Sequence, residues 1–156
     1  MTHGSEIPIA LRAAYLALHR RSDAAFSPYG VTADQFVLIA TLARGEALTQ
    51  RELARRMSSD PSTVRAMLER LADRGLVERE PHPSDARART VALTAKGKRT
   101  FRQLWTAGEP VRAKMLGALH AKEVEVLENL LARITQSLIP EFVSVDEPQI
   151  LSLSRG

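Results

Sequence analysis

Cysteine is absent from these 156 residues, so neither a disulfide framework nor a switch based on thiol oxidation is open to the chain. Aromatic residues make up only 4% of it. No apolar run comes near the ~20 residues that span a bilayer, and Arg12, His19, Arg20 and Arg21 interrupt the first apolar segment. The start, Met1-Thr-His-Gly-Ser-Glu6, lacks a basic lead, so no signal peptide is read and a cytoplasmic protein without a membrane partner is expected. Catalytic constellations are missing too. The histidines at 3, 19, 82 and 120 are scattered, and no H-x-x-x-H, H-E-x-x-H or C-x-x-C spacing offers a metal site. The glycines are isolated, forming neither a phosphate-cradling loop nor a G-x-S-x-G elbow. Glu123 and Glu125 read as part of a solvated helix face. No enzyme, metal or cofactor is expected.

What the chain has instead is a capped helix followed by a basic hairpin. Between Asp60 and Arg74, Val64, Met67, Leu68 and Leu71 recur at i, i+3, i+4 and i+7 and build one apolar face. Asp60 is placed to accept from the free amides of the first turn, and Pro61 costs no intrahelical bond there. Gly75 ends the helix. The opposite face carries Ser62, Thr63, Arg65, Ala66 and Arg70. A merely solvated face would more often mix Lys with Glu, whereas hydroxyls, a small residue and arginines suit close approach to base edges and phosphates in a major groove. Double-stranded DNA is the partner this pattern points to.

Leu76-Val-Glu-Arg-Glu80 and Arg89-Thr-Val-Ala-Leu93 follow as β-prone segments with apolar alternation, joined by Pro81-His-Pro-Ser-Asp-Ala-Arg-Ala88. A basic-tipped hairpin directly after such a helix reads as the wing of a winged helix-turn-helix, whose tip arginine can enter the adjacent minor groove. Charge is distributed accordingly. The chain carries 22 Lys and Arg against 18 Asp and Glu, for a net +4 and a pI near 10.0. Between Arg51 and Arg102 the basic residues number thirteen and the acids seven. A basic middle between near-neutral or acidic flanks suits a DNA-reading module set between dimerisation arms. A solvated helix face accounts equally well for Arg51, Arg74 and Arg102 taken singly. Arg51 is kept among the candidate DNA contacts, as are Asp85, Arg87 and Arg89 of the hairpin.

These pieces carry a resemblance. The segment Gly30-Val-Thr-Ala-Asp-Gln-Phe-Val-Leu38, then Leu53-Ala-Arg-Arg-Met57, Gly75-Leu-Val-Glu-Arg79, Asp85-x-Arg87 and Leu93-Thr-x-x-Gly97 resemble, in order, the MarR family of bacterial ligand-responsive transcription regulators. The D-x-R…L-T-x-x-G signature is the most specific part, and the similarity extends over roughly residues 7 to 138. The resemblance implies that Arg87 reaches the minor groove while Asp85 helps to hold it by a salt bridge. It also implies a homodimer built from the terminal helices, and a crevice between those helices and the DNA-binding lobe that takes small aromatic acids or phenols.

Along the chain, six helices and one hairpin are expected, a mainly α fold in which a winged helix-turn-helix lobe at about 32–93 sits between dimerisation helices at about 5–24 and 95–138. Together they make a single domain, 5–138. In the first helix Ile7, Leu11, Ala14 and Leu18 form a seam at steps of four and three residues. Helices two and three start at capping boxes, Thr32-Ala-Asp-Gln35 and Thr49-Gln-Arg-Glu52, and end near Ala43 and Met57. The fourth runs from Pro61 to Arg74. The fifth follows Thr94, carries Phe101, Leu104 and Trp105 on one side, and is expected to kink or break at Gly108-Glu-Pro110. In the sixth, Val124, Leu127, Leu131, Ile134 and Leu138 keep a strict 3-4-3-4 spacing. Two readings of that seam stand: contact with a partner subunit, or an intramolecular core stripe. The tail, 139–156, carries Pro140 and Pro148 and no assignable pattern.

Tyr15, Phe26, Tyr29 and Phe36 gather within the first forty residues, beside His19 and Arg20. By the resemblance, Tyr15, His19, Arg20, Phe26 and Phe36 are the candidate effector contacts. Core aromatics at a helix junction with two surface charges is the competing account. Two functions follow. One is a homodimeric, sequence-specific repressor of a pseudo-palindromic operator, released by a small ligand, for which the resemblance implies an aromatic or phenolic compound. The other is a winged-helix protein–protein interaction module with a basic face. The Asp85-x-Arg87 pair and the hydroxyl-rich helix face favour the first.

Overall fold

The computed structural model describes residues 4, 6–45, 47–82, 84–85 and 89–139, and four of its helix starts fall where a side chain caps the backbone, at Thr32, Thr49, Asp60 and Thr94. Among these residues lie helices α1 (Ile7–Phe26), α2 (Ala33–Leu42), α3 (Gln50–Arg56), α4 (Pro61–Asp73), α5 (Ala95–Ala107), α6 (Glu109–Leu116) and α7 (Ala121–Leu138). A 3-10 turn, Ser27–Tyr29, follows α1, and strands β1 (Leu48–Thr49), β2 (Val77–Pro81) and β3 (Arg89–Leu93) complete the set. Both capping boxes form. Thr32 Oγ1 accepts from the Gln35 amide while Gln35 Oε1 accepts from the Thr32 amide, each at 3.1 Å. At α3 the Thr49 hydroxyl accepts from the Glu52 amide (3.1 Å) and the Glu52 carboxylate accepts from the Thr49 amide (2.8 Å). Each box satisfies donors that a bare helix start would leave unpaired.

Several boundaries differ from the sequence reading. The first helix is shifted by two residues, starting at Ile7 rather than 5 and ending at Phe26 rather than about 24. The segment after Thr94 breaks where expected, at Gly108, but the chain restarts with Pro110 in the first turn of α6 as a separate helix, so two helices stand where one interrupted helix was read. The seam expected in a sixth helix therefore lies on a seventh. The sheet has three antiparallel strands in the order β1-β3-β2, with Leu48 opposite Val91 and Arg79 opposite Val91 on the other side. A two-residue strand is too short to show a period, so β1 was invisible to the alternation rule. The expected tail lies, from residue 140 on, outside the described residues.

The core forms where α2, α3, α4 and α5 meet the sheet. Leu38, Ile39, Leu53, Val64, Leu71 and Leu104 are fully buried there. The terminal arms behave differently: no residue of α6 or α7 is buried, and Leu127, Leu131, Ile134 and Leu138 are exposed. Among the described residues nothing covers the α7 seam, so against them it forms no intramolecular core stripe.

One corner holds the lobe together. Gly75, at φ +71°, ends α4 in the left-handed conformation, with its amide on the Ala72 carbonyl and the Leu76 amide on the Leu71 carbonyl, both 2.9 Å. This is the glycine-dependent helix stop in which the last carbonyls find donors. Thr94 closes on it from β3: its hydroxyl donates to the Gly75 carbonyl (2.6 Å) and accepts from the Gly97 amide (3.0 Å), while its own amide bonds the Leu76 carbonyl (3.1 Å). Gly97 is there because nothing larger fits. A Cβ at that position would lie 2.0 Å from the Leu76 carbonyl oxygen. The L-T-x-x-G signature is thus a packing device that seats the start of α5 on the end of α4.

Gly97→Ala is therefore expected to destabilise the protein by about 3 kcal/mol, since backbone rather than a flexible side chain must give way. Thermal melting reads this directly. A variant that melts with the wild type would mean that the corner opens freely.

Candidate nucleic-acid interface

Helices α3 and α4 are joined by a turn that the sequence marks only weakly. Ser58 adopts φ +51°, and its amide bonds the Arg55 carbonyl (3.1 Å) while the Ser59 amide bonds the Ala54 carbonyl (3.0 Å). That is the stop usually made with glycine, here built with serine at a cost of about 1 kcal/mol in backbone conformation. The turn brings Asp60 to the head of α4, whose Val64, Met67, Leu68 and Leu71 are buried. Ser62, Thr63, Arg65, Ala66 and Arg70 are all exposed on the other side. Sequence periodicity alone had separated the two faces.

The first turn of α4 is organised by one carboxylate. Asp60 accepts the Thr63 amide at 3.0 Å and, through its two oxygens, the hydroxyls of Ser62 and Thr63. Its pKa is held far below the usual carboxylate range by the Ser62 hydroxyl, the Thr63 hydroxyl and the Thr63 amide. Each hydroxyl thereby spends its proton on Asp60 and offers only lone pairs outward. Groups so arranged accept hydrogen bonds, which in a major groove are supplied by the exocyclic amines of adenine and cytosine.

Arg65 pairs with Glu69 at 3.4 Å, with both side chains more than half exposed. Exposed i,i+4 pairs contribute only a few tenths of a kcal/mol, so this one is readily exchanged for an anionic partner. Arg70 and, on α3, Arg51 are exposed without being gathered into the same turn. In the hairpin, Arg89 is exposed at the first position of β3, opposite Pro81, and Asp85 is exposed in the loop. Arg87 lies outside the described residues. Arg74 is no idle surface charge: its guanidinium donates to the carbonyls of Gly30 (2.7 Å) and Tyr29 (2.8 Å), and Lys96 Nζ donates to the Arg74 carbonyl at 2.8 Å. The end of α4 is thereby tied to the turn before α2. Those long-range bonds left no trace in local sequence.

A second site lies on the far side of the lobe. A cavity of about 240 Å³ opens between α1, the start of α2, the end of α5 and α6. Tyr15, His19, Phe26 and Phe36 line it together; Arg20 is exposed and lies outside its wall. The Phe26 and Phe36 rings stack at 4.5 Å between centroids. His19 Nε2 stands 3.2 Å from Asp23, and its Nδ1 3.9 Å from Asp34, so the imidazole bridges α1 to the head of α2. Sequence reasoning missed the opposite wall, where Arg112 stacks 3.7 Å above the Trp105 ring and donates to the Trp105 carbonyl (2.7 Å) and to Glu109 (2.8 Å). Such a wall presents a cation and an aromatic ring to one occupant. Trp105 was legible only as one side of a helix, and Arg112 lies beyond the expected break at Gly108, where no contact with Trp105 was read. Among the described residues no cluster of three or more His, Asp or Glu could hold a metal, and no helix is long and apolar enough to cross a membrane.

Comparison with known proteins places this geometry in context. A model of the MarR family matches residues 31–88. The chain is 34% identical over 109 residues to the multiple antibiotic resistance protein MarR of Escherichia coli K12, covering 69% of this chain and 76% of that protein. It is 26% identical over 152 residues to the HTH-type transcriptional repressor MdtR of Bacillus subtilis 168, covering 97% and 95%. A crystal structure of a mutant E. coli MarR complexed with operator DNA superposes with a TM-score of 0.75, at 29% identity over 83% of this chain and 94% of that one.

The Asp60 cap has a pH signature. A carboxylate whose folded pKa is depressed contributes fully above its unfolded value, about 3.9, and loses that contribution as pH falls through the folded value. Asp60→Ala is expected to lower the denaturation midpoint at neutral pH and Asp60→Asn to lower it far less. The gap between wild type and the alanine variant should begin to close only below about pH 4. Equal midpoints for all three proteins at pH 7 would remove Asp60 from the helix start.

Proposed function

The chain belongs to the MarR family of DNA-binding transcriptional regulators, and from that premise we propose that it is a homodimeric, sequence-specific repressor which a small aromatic or phenolic effector releases from a pseudo-palindromic operator. The proteins of this family are transcription regulators, not enzymes. The observation that carries the reading is the exposed face of α4, where Ser62, Thr63, Arg65, Ala66 and Arg70 stand opposite a fully buried apolar stripe. In this scheme α4 enters the major groove, with Ser62, Thr63 and Arg65 at base edges and Ala66 allowing close approach. Arg51, Arg70 and Arg89 take phosphates, and Arg87, held by Asp85, takes the minor groove.

Residues 5–138 act as a single domain, the lobe at 32–93 reading DNA and the flanking helices pairing two copies. Exposed apolar residues on both arms support the pairing: Ile7, Leu11 and Leu18 on α1, and Leu127, Leu131 and Ile134 on α7. Uncovered seams of this size ask for a partner. A two-fold axis through them relates the two α4 helices, so the half-sites lie about one DNA turn, roughly 10 bp, apart. The effector sits in the cavity of Tyr15, His19, Phe26 and Phe36, facing Trp105 and Arg112. Its binding favours a dimer whose α4 spacing no longer fits the operator, and linkage requires DNA to weaken the effector by the same factor. A winged-helix module for protein contacts has no use for an acceptor-rich helix turn beside a basic wing.

Salt titration of binding to DNA from the region flanking the coding sequence tests the wing. Arg87→Ala is expected to weaken binding and to lower the slope of log K against log salt by about one unit, and Asp85→Ala to weaken it less. An unchanged affinity and slope would take the hairpin out of the interface. Sedimentation tests the arms: Leu127→Glu with Leu131→Glu is expected to give folded monomers that fail to shift the operator at concentrations where the wild type is dimeric. A monomeric wild type that binds a single non-palindromic site tightly would refute the scheme.

A further inference from the structure

Asparagine starts a helix as well as aspartate does, and it would set no negative charge against phosphates. Yet the head of α4 carries Asp60. What a charge does there is visible in its partners. Ser62 and Thr63 are both exposed, and both hydroxyls donate to this one carboxylate: Ser62 to Oδ1, which also takes the Thr63 amide, and Thr63 to Oδ2. A serine or threonine hydroxyl owns a single proton, and an ionised carboxylate only accepts. Asp60 is ionised throughout the neutral range, since the two hydroxyls and the Thr63 amide hold its pKa far below the usual carboxylate value. An asparagine could not do the same. Its oxygen would stay on the Thr63 amide and the Ser62 hydroxyl, while its nitrogen, a donor, would face the Thr63 hydroxyl and free that proton to point outward.

We infer that Asp60 is the positioning residue that sets base preference on the exposed face of α4: by holding both hydroxyl protons it makes Ser62 and Thr63 read the amines of adenine and cytosine and disfavour thymine and guanine at the same places. The inference rests on the reading of α4 as the major-groove helix. In that groove adenine N6 and cytosine N4 donate, whereas thymine O4 and guanine O6 only accept. A hydroxyl facing one of those acceptors must leave Asp60 to bond it, and so exchanges a bond to a charged group for a weaker neutral one. Asp60 needs no contact of its own with DNA, because its effect passes through the two hydroxyls.

The test is selection of binding sites from random DNA by the full-length wild type and by Ser62→Ala, Thr63→Ala, Thr63→Ser and Asp60→Asn, with a melting curve for each. Thr63→Ala is expected to lose the preference at one position, where the wild type selects adenine or cytosine, and Thr63→Ser to keep it. Ser62→Ala loses the preference at a second such position. Asp60→Asn keeps the letter read by Ser62 and moves toward thymine or guanine at the position read by Thr63. On duplexes that differ only there, the wild type favours its own letter roughly three- to tenfold, the ratio that one net hydrogen bond implies, and the asparagine variant favours the other. Two results would overturn the inference: thymine or guanine selected by the wild type at the Thr63 position, or a folded Asp60→Asn whose selected sites match those of the wild type. Should Asp60→Asn fail to fold, the wild-type letter at that position decides alone. If neither Ser62→Ala nor Thr63→Ala alters any position, it is the base-reading role of this face that fails, and the role of Asp60 in it falls too.

Discussion

The contact on which the lobe depends is the approach of Gly97 to the Leu76 carbonyl, where a Cβ would come within 2.0 Å of the oxygen. That approach lets the start of α5 sit directly on the end of α4, and Thr94 completes it with bonds to Gly75, Leu76 and Gly97. Two long side chains reinforce the same end: Arg74 reaches back to Tyr29 and Gly30, and Lys96 holds the Arg74 carbonyl. A helix anchored so heavily at its C-terminus moves with its anchors rather than by itself. Those anchors lead along α5 to Trp105 and, through the turn before α2, to Phe26 and Phe36, all in the wall of the cavity. The end of α4 and the wall of the cavity are thus built on the same neighbouring elements, α5 and the chain on either side of the turn before α2.

At the other end of α4 a single carboxylate sets the chemistry. Asp60 does more than cap a helix, because in taking the Ser62 and Thr63 hydroxyl protons it fixes what those side chains present outward. The helix start and the face proposed to read DNA share one group there.

Much of this was legible in order of residues. The boxes at Thr32 and Thr49, Asp60 before Pro61, and the glycine stop at Gly75 are signals whose partners lie within three or four residues, and each formed as read. The two faces of α4 followed from its period. Four of the five proposed effector contacts share one cavity because a cluster of aromatics close in sequence, at a helix junction, has few places to go. What was missed shares a different character. Strand β1 exists only through its pairing with β3, the Arg74 bonds span more than forty residues, and the Trp105–Arg112 stack reaches across the break at Gly108.

The sequence by itself therefore determined where helices begin and end, which face of each is apolar, and that a basic hairpin follows a hydroxyl-bearing helix, since those properties are set by neighbours within one or two turns. Only the tertiary structure decided which carbonyls Arg74 would find, why Gly97 tolerates no side chain, and that among the described residues nothing covers the α7 seam. Each of these depends on distances between segments far apart in the chain, and such distances are fixed by packing, which no local pattern encodes.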